Sequence, residues 1–211
     1  MLVSQRASRI QVLVSFLAGK PIVWLVFIAA MFSWPIVRSM RAQRDLPRSR
    51  PALGLVRDFA LRDQHGGELG PAELRGRIWV ANFTAIECKP VCVQSQQMLT
   101  KMDELRRRTR NLGDAIRLVT FPVDPERDTA ERMLALSATY RASRGTWRFA
   151  SGPPARVRDI LYDFRVAEGT PQTRFVLVDG NMLVRGYYDL ADEAALALLL
   201  RDVGLLLAPG S

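Results

Sequence analysis

A chain of 211 residues, 48% of them hydrophobic, has room for one domain of ordinary size and an appendage. The formal net charge of +9 is unevenly placed: residues 1–50 hold eight Lys/Arg against one acid, while the rest of the chain is close to balanced. Excess basic charge confined to one terminus suits lipid headgroups better than phosphodiesters, so a nucleic-acid partner is excluded and a membrane lipid surface is expected.

The N-terminal region explains the appendage. Residues 1–20 read as an N-terminal tail, and Pro21 to Val37 (PIVWLVFIAAMFSWPIV) carries no charge over 17 positions. As a helix this stretch reaches about 26 Å, just short of a bilayer core of roughly 30 Å. The apolar run Ile10 to Gly19, joined across a snorkelling Lys20, can supply the remainder. No small-x-small cleavage site follows, and Trp34 and Arg38 close the run as interface residues do. An uncleaved anchor over 21–37 is therefore expected ahead of a cleaved signal or a core helix. Counting basic residues on either side places the C-terminal part in the cytoplasm, because five arginines between Arg38 and Arg50 follow the span. Residues 38–54, basic and broken by Pro47 and Pro51, read as a tether, leaving 55–208 for the folded domain.

Within that domain Phe59-Ala60-Leu61 reads as a strand entering the turn Asp63-Gln64-His65-Gly66-Gly67. His65 is the only histidine, and a lone imidazole in a glycine-rich turn is expected to face solvent rather than act as ligand or base. Pro71 to Leu74 reads as a short helical turn, and Ile78 to Phe83 as a buried strand.

The next stretch, Glu87-Cys88-Lys89-Pro90-Val91-Cys92, holds both cysteines of the chain. Leu99, Met102 and Leu105 recur at helical spacing after it, so the pair sits where a strand gives way to a helix starting near Cys92. A helix N-terminus turns free N–H groups and the positive end of its dipole toward such a sulfur, and Lys89 adds a second positive charge. Both effects favour thiolate, the form that attacks disulfides and binds soft metals. Buried thiols or a structural disulfide are the plainer alternative. Arg106-Arg107-Arg108 and Arg110 close the helix, where cations complement its dipole.

Ile116 to Phe121 reads as the second main strand, leading into Pro122-Val123-Asp124-Pro125-Glu126-Arg127-Asp128-Thr129. Asp128 or Thr129 is the candidate N-cap for a helix from Ala130 to Tyr140. A short strand over Gly145 to Phe149, a helix over Pro154 to Tyr162, and strands over Arg174 to Asp179 and Met182 to Tyr187 follow, the last pair joined at Gly180-Asn181. A helix from Asp192 to about Leu207 ends the chain's pattern. This order predicts an α/β fold, a thioredoxin-like three-layer sandwich with an N-terminal transmembrane helix.

These residues also carry a family resemblance. Leu74-Arg75-Gly76-Arg77-Ile78-Trp79-Val80-Ala81-Asn82-Phe83, the Cys88/Cys92 pair with three residues between, the Asp124-Pro125-Glu126-Arg127-Asp128-Thr129 word, Trp147 near Phe149 and Gly152, and Arg174 to Gly180 resemble the Sco/SenC family. Those are membrane-anchored thioredoxin-like proteins that deliver copper to the binuclear copper site of cytochrome c oxidase or reduce its thiols. The resemblance implies a copper site of two cysteines and one histidine lying a few residues before the third main strand. The matching position here is Pro171, and no histidine stands nearby. Two thiolates alone suit Cu(I), whereas Cu(II) is poorly held without imidazole. Thr170-Pro171 also resembles the cis-proline element of thioredoxin-type reductases, against the plainer reading of a trans proline leading into a strand.

The resemblance further implies a soluble domain outside the cytoplasmic membrane. Despite the arginine count, the expectation is a single-pass protein of a bacterial inner membrane facing the periplasm. Two functions compete. In one, Cys88 and Cys92 form the catalytic dithiol of a thiol–disulfide oxidoreductase acting on the copper-binding subunit of cytochrome c oxidase or another cuproprotein. In the other they bind Cu(I) as a metallochaperone. Asp124 and Pro171 are supporting positions, Asp124 as an acid able to complete a metal site. A redox sensor or peroxide-handling role is a third reading, with no further residue to support it.

Overall fold

A strand buried at every position needs a layer on each face, and two seven-residue runs, Ile78–Thr84 and Ile116–Pro122, have that character. The computed structural model describes residues 51–86, 93–143, 145–167 and 173–208, all within one compact unit, Arg48–Ser211. In chain order the strands are β1 (Gly54–Leu55), β2 (Leu61–Arg62), β3 (Glu68–Leu69), β4 (Ile78–Thr84), β5 (Ile116–Pro122), β6 (Trp147–Phe149), β7 (Arg174–Val178) and β8 (Leu183–Asp189). The helices are α1 (Pro71–Leu74), α2 (Val93–Arg108), α3 (Ala130–Thr139), α4 (Pro154–Asp163) and α5 (Ala195–Leu207), with a 3-10 segment over Arg110–Ala115.

Six strands form one mixed sheet in the order β1-β8-β7-β4-β5-β6. β4, β5 and β6 run parallel, β7 is antiparallel to β4, and β8 and β1 add antiparallel strands beyond it. Alternation along β4 divides the core: Trp79, Ala81 and Phe83 face one side, and Ile78 and Val80 the other. The first side is covered by α4, through Val157, Ile160 and Leu161, by Phe164 just after it, and by the small β2–β3 hairpin with α1. On the second side lie α2, through Met98, Leu99, Met102 and Leu105, and α5, through Leu196, Leu199 and Val203, with Met133 of α3. Trp79, Phe83, Phe121 and Phe164 meet ring to ring at 5.2–6.5 Å in the first layer, adding aromatic contacts to simple burial. The result is the three-layer mixed α/β arrangement that the element order predicts.

Several boundaries differ for local reasons. Phe59 and Ala60 are outside any strand, and only Leu61–Arg62 pairs, with Glu68–Leu69. β1 is an edge strand at the start of the domain with only two residues to signal it, and it is held by the Leu53 N–H donating to the Val184 carbonyl at 2.8 Å. Met182 takes a positive φ of 64° at the β7–β8 turn, so β8 begins one residue later. Asp192 does not start α5: its carboxylate accepts the Ala194 N–H at 2.9 Å in a turn, and the helix starts at Ala195. Thr129 is the N-cap of α3, yet neither it nor Asp128 gives that helix a side-chain cap.

The expected anchor, Pro21–Val37, lies outside the described residues, as do the tail and the tether up to Arg50. Among the described residues no helix is long and apolar enough to cross a membrane.

Candidate dithiol site

Cys88, Cys92 and Pro171 all lie outside the described residues, so the site is built from the elements that flank them. β4 ends at Thr84 and α2 begins at Val93, which places the cysteine stretch at a strand-to-helix junction. β7 runs antiparallel to β4, with Ala81 opposite Val176. The beginning of β7 therefore lies at the sheet pole where β4 ends, and the segment containing Pro171 precedes that beginning. β5 is parallel to β4, so the Asp124–Thr129 segment that follows it issues from the same pole. Three sequence signals spread over about 80 positions thus adjoin strand ends at one pole.

The chain leaving β4 is held by a distinct set of bonds. Pro122 has no N–H, and the β4–β5 ladder stops at the Thr84–Pro122 pair. Val123 then donates its N–H to the Thr84 carbonyl at 2.9 Å. Beyond that point the Ala85 N–H donates to Ser95 Oγ of α2 at 3.3 Å, and the Ile86 N–H donates to Asp128 Oδ1 at 3.1 Å. Ser95 and Asp128 are each only 3% exposed. Asp128 thus serves the exit of β4.

Asp124 behaves differently. Its carbonyl accepts the Asp128 and Arg127 N–H groups at 2.8 and 3.1 Å, and its carboxylate pairs with Arg127 at 3.5 Å. In this arrangement it shapes the turn that delivers Asp128. His65 is exposed in the β2–β3 turn. Its neighbour Gln64 bonds the Trp147 carbonyl and the Phe149 N–H, at 3.2 and 2.9 Å, which sets that turn along β6, two strands across from β4. Among the described residues no three His, Cys, Asp or Glu side chains gather as a metal site.

Under the junction lies a buried polar relay on the α2 side of the sheet. Trp147 Nε1–H donates to Thr120 Oγ1 at 2.8 Å, and Thr120 Oγ1–H donates to Asn82 Oδ1 at 2.6 Å. The chain crosses β6, β5 and β4 and fixes their relative positions. Asn82 Nδ2 and Thr84 Oγ1 are buried on the same face and have no hydrogen-bond partner among the described residues.

The two ends of α2 differ in charge. No acid occupies the first turn of this 16-residue helix. At the far end, the Lys101 ammonium hydrogen-bonded to Glu104 holds that carboxyl below its usual range, with Arg108 adding to the effect. Asp114, just beyond, is lowered by its bond to Arg117. The arginines after Leu105 are engaged locally: Arg106 and Arg107 pair with Asp103, and Arg108 with Glu104. Ser95, Asn82 and Thr120 are common residues inside regular elements, and Asp128 lies in the loop before α3, so none of the four stands out in the sequence as reactive. The one available signal is Asp128's place in the Asp-Pro-Glu-Arg-Asp-Thr word.

Comparison with known proteins agrees with this arrangement. A family model described as SCO1/SenC matches residues 47–200. A SCO1 protein homolog of Bacillus subtilis is 28% identical over 97 residues, which cover 46% of this chain and 49% of that protein. The chain thus spans about half the length of the curated relative it matches. Among solved structures, BsSco, a member of the Sco family of cytochrome c oxidase assembly proteins in which a disulfide switch was identified, superposes with a TM-score of 0.64. It is 22% identical, over 75% of this chain and 97% of that one. Copper-bound ScoI of Bradyrhizobium japonicum superposes with a TM-score of 0.53 at 22% identity, over 70% and 99% of the two chains. At these identities the structural likeness establishes the fold.

Proposed function

The chain belongs to the SCO1/SenC family, and from that premise we propose that it assists assembly of the copper site of cytochrome c oxidase through a Cys88/Cys92 dithiol. The observation that carries the reading is the pairing of two signals. A dithiol falls between β4 and α2, and proline stands at position 171, where the family resemblance places a copper-ligating histidine. Losing an imidazole removes a ligand for Cu(II) while leaving both thiols able to exchange disulfides.

In the proposed reaction the Cys88 thiolate attacks one sulfur of a partner disulfide, forming a mixed disulfide and releasing the first partner thiolate. Cys92 then attacks the Cys88 sulfur and releases the second. The protein's dithiol becomes a disulfide, the partner's disulfide becomes a dithiol, and two electrons have passed to the partner. A dithiol donor must then reduce the protein for another cycle. The N-terminus of α2 lowers the cost of the attacking thiolate, and no acid stands in the first turn of that helix.

The partner is a cuproprotein whose two site cysteines have oxidised, the copper-binding oxidase subunit foremost. The protein acts from a single-pass anchor over residues 21–37, with its domain in the periplasm of a bacterium, where a dithiol–disulfide couple is useful. Cu(I) carriage on the same two thiolates is the second reading, favoured by the copper-bound state of the Bradyrhizobium japonicum relative. In that role copper is cargo passed on by ligand exchange.

The test is reduction of a purified oxidase copper-site domain whose cysteines have been oxidised to a disulfide. The reduced parent protein should regenerate both thiols, Cys92→Ser should accumulate the mixed disulfide, and Cys88→Ser should do neither. Exchange by Cys88→Ser at the parent rate would overturn the mechanism.

A further inference from the structure

Two side chains outside the cysteine stretch close its ends. The β4–β5 ladder stops at the Thr84–Pro122 pair and the β4–β7 ladder at the Ala81–Val176 pair, so the N–H groups of Ala85 and Ile86 lie beyond both ladders. Each has a side-chain acceptor from a different element. Ser95 reaches back from the first turn of α2 to Ala85 at 3.3 Å, and Asp128 reaches across from the segment after β5 to Ile86 at 3.1 Å. Both acceptors are almost fully buried. Asp128 is itself held, its N–H donating to the Asp124 carbonyl at 2.8 Å, and its segment is tied to β4 by the Val123–Thr84 bond at 2.9 Å.

The Ala85–Ser95 bond closes a ring of chain that contains both cysteines, and the Ile86–Asp128 bond fixes where that ring leaves the sheet. Restricting the ends of a loop removes conformations in which its two sulfurs are far apart, so the intramolecular disulfide forms at a smaller entropic cost. We propose that Ser95 and Asp128 are positioning residues that set the effective concentration of Cys88 toward Cys92. This rests on the dithiol reading above and adds to it the source of the pair's redox poise. The role belongs to hydrogen-bond acceptance, which an asparagine at position 128 retains and an alanine does not.

The experiment equilibrates the full chain in detergent with reduced and oxidised glutathione and measures the dithiol–disulfide constant, with melting temperature recorded separately. Ser95→Ala should lower the constant about fivefold, and Asp128→Ala about tenfold or more, the ordinary difference between a neutral and a charge-assisted hydrogen bond. Asp128→Asn should return it to within about threefold of the parent. Thr120→Val, which destabilises the fold without touching the loop ends, should leave the constant unchanged. Should Asp128→Ala fail to fold, Ser95→Ala decides: a fall supports the proposal and a parent value overturns it. Parent values in both alanine variants, an asparagine variant as impaired as the alanine, or an equal fall in Thr120→Val would likewise overturn it. A parent protein that forms no intramolecular disulfide would instead overturn the dithiol reading itself.

Discussion

The Thr120 hydroxyl accepts from Trp147 Nε1–H and donates to Asn82 Oδ1, and all three side chains are fully buried. Thr120→Val keeps the shape and removes both bonds, leaving an indole N–H and an amide oxygen buried without those partners. The loss should be about 2–3 kcal/mol, read as a lower urea midpoint at unchanged slope. A midpoint equal to the parent's would show that these groups find other partners. At this scale the sequence is a mixed guide. His65 follows its reading, exposed in a glycine-rich turn, because the surrounding Asp63 and Gly66 chemistry is local. Ser95 and Asp128 do not announce themselves, since their meaning depends on which N–H groups the β4–β5 ladder leaves over, and that is a property of register.

Elements whose periodicity is long were legible. α2 follows from Leu99, Met102 and Leu105, and β4 and β5 from continuous apolar runs of the kind buried parallel strands require. β1 and β3 have two residues each and no period to detect, and their existence depends on partners distant in sequence or across a turn. Helix starts were legible only approximately, as Asp192 shows by turning the chain before α5. The anchor proposed over 21–37 lies outside the described residues, and for its direction the arginine count and the family's usual compartment disagree. A reporter active only outside the cytoplasm should be active when fused after Ser211 and silent when fused ahead of Pro21. The reverse pattern would place the dithiol in a reducing compartment and remove its proposed use.

For the molecule as a whole, strand direction does the assembling. β4 and β5 end at one pole and β7 begins there, so the strand ends that flank the cysteine stretch, the Asp124–Thr129 segment and the stretch before β7 share a pole although they are far apart in sequence. The family resemblance implied that the position of Pro171 stands near the dithiol, while periodicity alone predicted only the layers. The shared pole also frames the central claim, that this SCO1/SenC site has kept its dithiol and lost its imidazole. The most direct measurement is a copper titration of the fully reduced protein, with oxidation state followed by visible absorption and electron paramagnetic resonance. The account predicts that one Cu(I) binds, that binding is lost in the Cys88→Ser/Cys92→Ser double variant, and that no stable coloured Cu(II)–thiolate complex forms until Pro171→His supplies a ring nitrogen. A tight, coloured Cu(II) complex in the parent protein would contradict it and show that another side chain completes the site.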